Sequence, residues 1–269
     1  RSTGTDAYDP YVYEMGGVNS ATTIILHNRD GANATDVVET MAKADMIFFA
    51  GGDQWTYYYN WKGTPLEDTI LMRAEAGAPV GGTSAGCAVM GEFVYSAQFG
   101  SATSRASLRD PYTLDLTFGD NFLGHSFPGE YLRNVITDTH FAARDRMGRF
   151  LTFTARMKAD VMTPKETIGI AVDERTAMLI DASGEASVVT DDAKGSVYML
   201  FPASFPEKCE PSSDLEWSDV PTYRIRGNVT NAYDFNFDGI EGMTNVDGTT
   251  LYSLSASGGK LSSSKGSVY

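Results

Sequence analysis

Gly82-Thr83-Ser84-Ala85-Gly86 is the stretch of this chain whose residue types and spacing point most directly to chemistry. It fits the G-x-S-x-G pattern, in which a serine sits on a tight strand-to-helix turn and small neighbours let chain segments approach closely. Such a turn lifts the hydroxyl clear of the sheet, and the new helix aims free N–H groups at the reacting centre. The Ala85 N–H is then placed to donate to a developing oxyanion. By itself the pattern also fits a Gly-rich βα turn with no reactivity, so partners decide. A hydroxyl needs a base, and the chain holds three histidines, His27, His125 and His140. His27 ends an apolar run and reads as structural or surface, and His125 lies in a Gly, Ser and Pro-rich loop and reads as exposed. His140, in Asp138-Thr139-His140-Phe141 ahead of Arg144, Arg146 and Arg149, is the best candidate base. Asp138 and Glu174 are the leading acids to orient its ring.

The elements that must position these residues are legible as periodicity. Thr22 to Leu26 and Met46 to Ala50 read as buried strands, with a helix after Thr35 between them. Thr64-Pro65 begins a second helix that stops at Gly77, and a brief strand at Val80-Gly81 leads into the Ser84 turn. Alternating strands and helices predict a parallel sheet with right-handed crossovers, whose ligands sit at the strands' carboxyl ends, where Gly51-Gly52 and Ser84 both fall. In the second half a helix is expected from His140 to about Arg156. Short strands are expected after it at Ile168–Val172, Ala177–Ile180, Ala186–Thr190 and Val197–Phe201, an antiparallel extension. From Ser253 the Ser, Gly and Lys content rises, which predicts a loosely held tail over 253–269 after one α/β domain over 1–252.

Composition narrows the function classes. With 35 acidic against 21 basic residues the net charge is −14, so a polyphosphate partner would be repelled and nucleic acid is not the expected ligand. Against that background the cluster Arg144, Arg146, Arg149 reads as a local anion site. No apolar run approaches the ~18 residues of a membrane span. The two cysteines, Cys87 and Cys209, exclude a disulfide scaffold and are expected as free thiols. No His, Cys or carboxylate spacing suggests a metal, and the chemistry needs no cofactor. Asn33-Ala34-Thr35 and Asn228-Val229-Thr230 are glycosylation acceptor triplets, which tilt the expected setting toward secreted or extracellular over cytoplasmic. The order Ser84, His140, acid departs from the Ser, acid, His order of the α/β-hydrolases, which argues against a lipase or esterase.

Four blocks, Phe48 to Gln54, Gly82 to Gly86, Asp138 to Arg149 and Gly169 to Ala177, resemble in content and order the cyanophycinase branch of the serine peptidases, which also includes peptidase E. The resemblance implies a three-layer α/β fold of the flavodoxin or class I glutamine amidotransferase kind. It implies Ser84 as nucleophile, His140 as base, Glu174 as third member and an oxyanion site at Gly52 and Ala85. Gln54, Asp138, Arg144, Arg146 and Arg149 would line the substrate pocket, and relatives are often homodimers. Cyanophycinases cut β-aspartyl-arginine dipeptides from a polymer with a poly-aspartate backbone, and arginines are suited to read carboxylates bidentately. Thr139 and Ala143 stand where such proteins often show Gln, which bears on the fine substrate choice. Relatives usually carry a strand, a Gly-rich turn and a helix before the segment matching Arg1–Asp6. An upstream piece supplying a central strand is therefore expected in the intact product.

The activity implied is an exopeptidase working through an acyl-enzyme on acidic or β-aspartyl peptides. An aspartyl or isoaspartyl dipeptidase is the neighbouring reading. The other class is a secreted structural or binding protein that keeps the fold without the reaction.

Overall fold

The computed structural model describes residues 8–163, 166–192, 194–228, 233–237 and 248–269. Arg1–Asp6, where the expected upstream segment would join, lies outside them. In chain order the elements are α1 Tyr8–Glu14, α2 Arg29–Ala32, α3 Thr35–Met41, β1 Ile47–Phe49, α4 Gln54–Trp61, α5 Pro65–Glu75, β2 Val80–Gly82 and α6 Ala85–Ala88. They continue with β3 Val94–Tyr95, α7 Ser104–Arg109, β4 Phe118–Gly119, β5 Val135–Asp138, α8 Met147–Ala159, β6 Ile168–Val172, β7 Thr176–Ile180 and β8 Glu185–Thr190. β9 Ser196–Leu200, β10 Trp217–Arg226, β11 Tyr233–Asn236, β12 Thr249–Ser257 and β13 Lys260–Ser263 complete them.

The α/β character holds, but the strands are not parallel-rich. Among the described residues β1–β2 and β5–β6 are the parallel ladders, and the others run antiparallel. The reason is connection length: a parallel pair needs a crossover. The chain supplies one through α4 and α5 and one through α8, whereas β6 to β9 are joined by short turns. The largest sheet has the order β13-β12-β10-β9-β6-β5, and β11-β8-β7 form a separate three-stranded sheet.

Side-chain alternation shows how the layers stack. Ile136, Ala171, Tyr198, Leu200, Trp217 and Val220 face one core with Phe150, Phe153 and Met157 of α8. Their neighbours Val135, Ile170, Val197, Met199, Tyr223 and Ile225 face the other way, onto Ala186 and Val188 of β8. The large sheet is thus covered by a helix on one face and by strands on the other, unlike the helix-flanked layering expected. A third core surrounds β1, where Ile47 and Phe49 meet Tyr57, Trp61, Leu66, Ile70 and Ala85.

Three further expectations are corrected. Thr22 to Leu26 forms no strand; Leu26 is buried in the core around β1, so its apolarity serves packing rather than a ladder. The helix expected from His140 starts at Met147. His140 (φ 48°) and Asp145 (φ 49°) adopt left-handed backbone that interrupts it, leaving one 3-10 turn over Ala142–Arg144. The Ser-rich stretch from residue 253 is no loose tail, because β12 pairs with β10 and β13. Tyr252, Leu254 and Ala256 are buried while Ser253 and Ser255 between them are half-buried, so the period of two outweighs the composition. Among the described residues no helix is long and apolar enough to cross a membrane.

Candidate active site

Ser84 leaves β2 on a sharp bend. β2 lies parallel to β1 with Phe49 opposite Gly82, and Thr83 N–H donates to the Phe49 carbonyl at 3.0 Å. The chain then turns through Ser84 (φ 53°, ψ −119°) directly into α6, a conformation L-residues adopt only when their surroundings over-determine it. Those surroundings are tight. A Cβ on Gly82 would lie 2.4 Å from the Gly86 carbonyl, and one on Gly86 would lie 2.1 Å from the Phe49 oxygen. The glycines of the pattern are therefore packing requirements. A Cβ on Gly51 would come within 3.1 Å of Ser84 Cβ, which sets the Gly51-Gly52 turn against the elbow. Gly52 (φ 154°) is exposed. Asp53 then caps α4 by accepting from Trp55 N–H, and Gln54 is the half-buried first residue of that helix.

His140 arrives from the carboxyl end of β5 and Glu174 from that of β6, the parallel neighbour of β5. His140 Nε2 stands 2.8 Å from Ser84 Oγ, and His140 Nδ1 stands 2.7 Å from Glu174 Oε1. With the proton on Nδ1 the ring donates to Glu174 and leaves the Nε2 lone pair to the hydroxyl, which satisfies both bonds. The left-handed backbone at His140 is anchored by Phe141, which is buried and packs against the rings of Phe150, Tyr198 and Tyr269. The His140 hydrogen bond, helped by Arg144 and Arg146, holds the Glu174 carboxyl below its ordinary range even though the group is open to water. A hydroxyl, an imidazole and a carboxylate in this sequence are the arrangement that activates an oxygen nucleophile.

Asp138, the other acid considered, does not meet the imidazole. Its carboxylate is buried and receives Arg149 bidentately, Nε at 2.8 Å and Nη2 at 2.5 Å. Arg149 is 3% exposed, donates to Ser101 Oγ and the Ala102 carbonyl, and lies over the rings of Tyr95 and Phe153. It is an internal strut that cannot reach a substrate carboxylate, a correction to its expected place in the pocket. Arg146 donates to the Thr139 carbonyl at 2.7 Å and reaches Asp138 at 3.5 Å. Burial draws its guanidinium down to about 10, which leaves it cationic at neutral pH. Arg144 is exposed. Cys87, on α6 behind the serine, is a free thiol pushed up to about 12 by burial, as Cys209 is.

The other histidines lie elsewhere. His27 is exposed, and His125 is half-buried with Nδ1 2.9 Å from the buried Glu92. Asn33 is exposed, and Asn228 is half-buried with Val229 and Thr230 outside the described residues. No group of three or more metal-ligating side chains occurs among the described residues. Sequence reasoning missed two residues that hold the His140 loop. Asp173 accepts Ala142 N–H at 2.9 Å; it adjoins Glu174 within the Gly169 to Ala177 block and was readable as a capping acid. Tyr269, whose hydroxyl accepts Met147 N–H and donates to Asp145, gave no local signal.

Comparison with known proteins bears on the same residues. The model of a family described as "Peptidase family S51" matches residues 6–187, which include all three members of the trio. The cyanophycinase of Nostoc sp. is 27% identical over 201 residues, covering 74% of this chain and 59% of that protein. The cyanophycinase of Geminocystis herdmanii is 29% identical over 201 residues, 72% of this chain and 65% of that one. That of Synechococcus elongatus is 27% identical over 187 residues, 69% and 51%. The chain thus spans about half to two thirds of the length of these relatives. Among solved structures, a peptidase from an acI-B1 Actinobacterium is similar at TM-score 0.47 and 19% identity, covering 80% of this chain and 78% of that one. With the family model spanning well over half of its length, the chain belongs to peptidase family S51.

Proposed function

We propose that this protein is a serine-type peptidase that cleaves β-aspartyl-arginine peptides of the cyanophycin kind through an acyl-enzyme on Ser84. The observation that carries the reading is the unbroken line from Ser84 Oγ through His140 to Glu174, with both links under 3 Å. Ser84 Oγ attacks the scissile carbonyl carbon while Nε2 takes its proton, and Glu174 offsets the imidazolium charge. The N–H groups of Ala85 and Gly52 donate to the oxyanion. The imidazolium then returns its proton to the leaving nitrogen, the C–N bond breaks and the amine departs. A water molecule gives a proton to Nε2, attacks the acyl ester and regenerates Ser84. Arg144 and Arg146, with Gln54, are the side chains left to recognise an acidic substrate, since Arg149 is committed to Asp138.

The test is labelling by a fluorophosphonate probe together with release of arginine-containing dipeptides from cyanophycin. Ser84→Ala should abolish labelling and lower turnover by at least ~10³-fold, with the circular dichroism spectrum unchanged. Normal turnover in that variant would overturn the mechanism. Parallel assays on free isoaspartyl dipeptides separate an exopeptidase from a dipeptidase.

A further inference from the structure

Asp173 directly precedes Glu174 at the turn that follows β6. Its backbone N–H donates to the Ser196 carbonyl at 3.1 Å, and its Oδ2 accepts Ser196 N–H at 3.2 Å, which fastens it to the start of β9. Its Oδ1 accepts Ala142 N–H at 2.9 Å. Ala142 opens the single 3-10 turn between the left-handed residues His140 and Asp145. The turn's own bonds run from the Arg144 and Asp145 N–H groups to the His140 and Ala142 carbonyls, and the Ala142 N–H at its start takes its acceptor from Asp173. Two adjacent side chains thus grip one loop, Glu174 at the ring of His140 and Asp173 at the backbone two residues on.

We infer that Asp173 is a positioning residue for catalysis, holding the loop backbone so that the His140 imidazole stays within proton-transfer distance of Ser84. The inference rests on the reading of Ser84 and His140 as nucleophile and base. The site supplies a reason for a second anchor: half of the Glu174 side chain is exposed, so the ring's carboxylate contact alone competes with water. Asp173 is half-buried, and burial raises its pKa although two N–H donors oppose this. It is therefore held in place against a desolvation cost that a solvated turn residue would not bear. An imidazole displaced by about 1 Å costs on the order of 10²-fold in rate, which sets the expected effect.

The experiment is the rate of Ser84 labelling by a fluorophosphonate probe in the full chain, for the unmodified protein, Asp173→Asn, Asp173→Ala and His140→Ala, and for Asp173→Ala combined with His140→Ala. Asp173→Ala should slow labelling by on the order of 10²-fold. Asp173→Asn, which keeps one carbonyl acceptor and guards against loss of folding, should slow it by about tenfold. In the His140→Ala background, adding Asp173→Ala should change the rate by less than about twofold, since a residue acting through the imidazole has nothing left to position. Labelling of Asp173→Asn and Asp173→Ala at the unmodified rate would overturn the inference. So would an undiminished further loss in the His140→Ala background, the mark of a purely structural role. An unmodified protein that resists the probe removes the serine-nucleophile reading itself, and this inference with it.

Discussion

At the scale of single residues the site depends on strain that its neighbours maintain. Ser84 and His140 both carry positive φ, and each is fixed by the next residues along the chain, Ser84 by the start of α6 and His140 by the buried Phe141 ring. Glu174 is the exposed member, and its carboxyl lies below its ordinary value of 4.5 because it accepts from His140. A depressed carboxylate pKa contributes stability that is complete above the unfolded value and lost as pH falls through the folded one. The difference in thermal midpoint between the native protein and Glu174→Gln should therefore close as pH falls below about 4.5. A gap that widens below about pH 4.5 would reverse the assignment. The same variant should lower turnover by on the order of 10²-fold, less than loss of a fully buried triad acid, as kcat measurements would read.

At the scale of elements, the parallel pair β5–β6 presents His140 and Glu174 beyond its carboxyl ends, and the helix α8 lies between the two strands in the chain. Asp138 ends β5 two residues before His140, Arg149 sits in the first turn of α8, and their bidentate pairing ties strand to helix. Both are almost fully buried, so removing one partner strands the other's charge. Arg149→Ala should cost about 3–5 kcal/mol of stability, seen as a lowered urea midpoint. A substrate-reading arginine would behave otherwise, raising KM while leaving the midpoint in place. Thr137, a short step before the histidine on β5, donates to the Cys87 carbonyl of α6 at 2.9 Å. Movement of β5 would therefore be felt at the serine elbow.

At the scale of the whole molecule, distant chain segments close around the loop from His140 to Arg149. Its left-handed corner at Asp145 is met by Ser104 from α7, whose hydroxyl donates to the Asp145 carbonyl at 2.5 Å, and by Tyr269 from beyond β13. Tyr269 lies beyond a Ser-rich strand pair, yet its ring joins Phe141 and Tyr198. Tyr269→Phe keeps the ring and deletes the hydroxyl that serves Met147 and Asp145. It should cost about 1 kcal/mol, read as a shift in the urea midpoint with an unchanged slope. No shift would mean that the tether is made equally well by water.

The amino-acid sequence by itself determined the parts that rest on short-range sterics and period. The glycines around Ser84 announce a bend because only they permit the contacts at Gly82 and Gly86. Thr64 before Pro65 announces a helix start, and short runs set off by turn residues announce β6 to β9 within a residue of their bounds. What only the tertiary structure decided depends on pairings across long separations, which local pattern does not encode. These include which acid meets His140, given that Asp138 is claimed by Arg149. They also include the antiparallel build of the large sheet, the incorporation of the Ser-rich strands 249–263, and the failure of 22–26 to find a ladder. An arginine eleven residues from an aspartate can equally face water or substrate. Burial against Tyr95 and Phe153 settled it, and burial is a property of the folded whole.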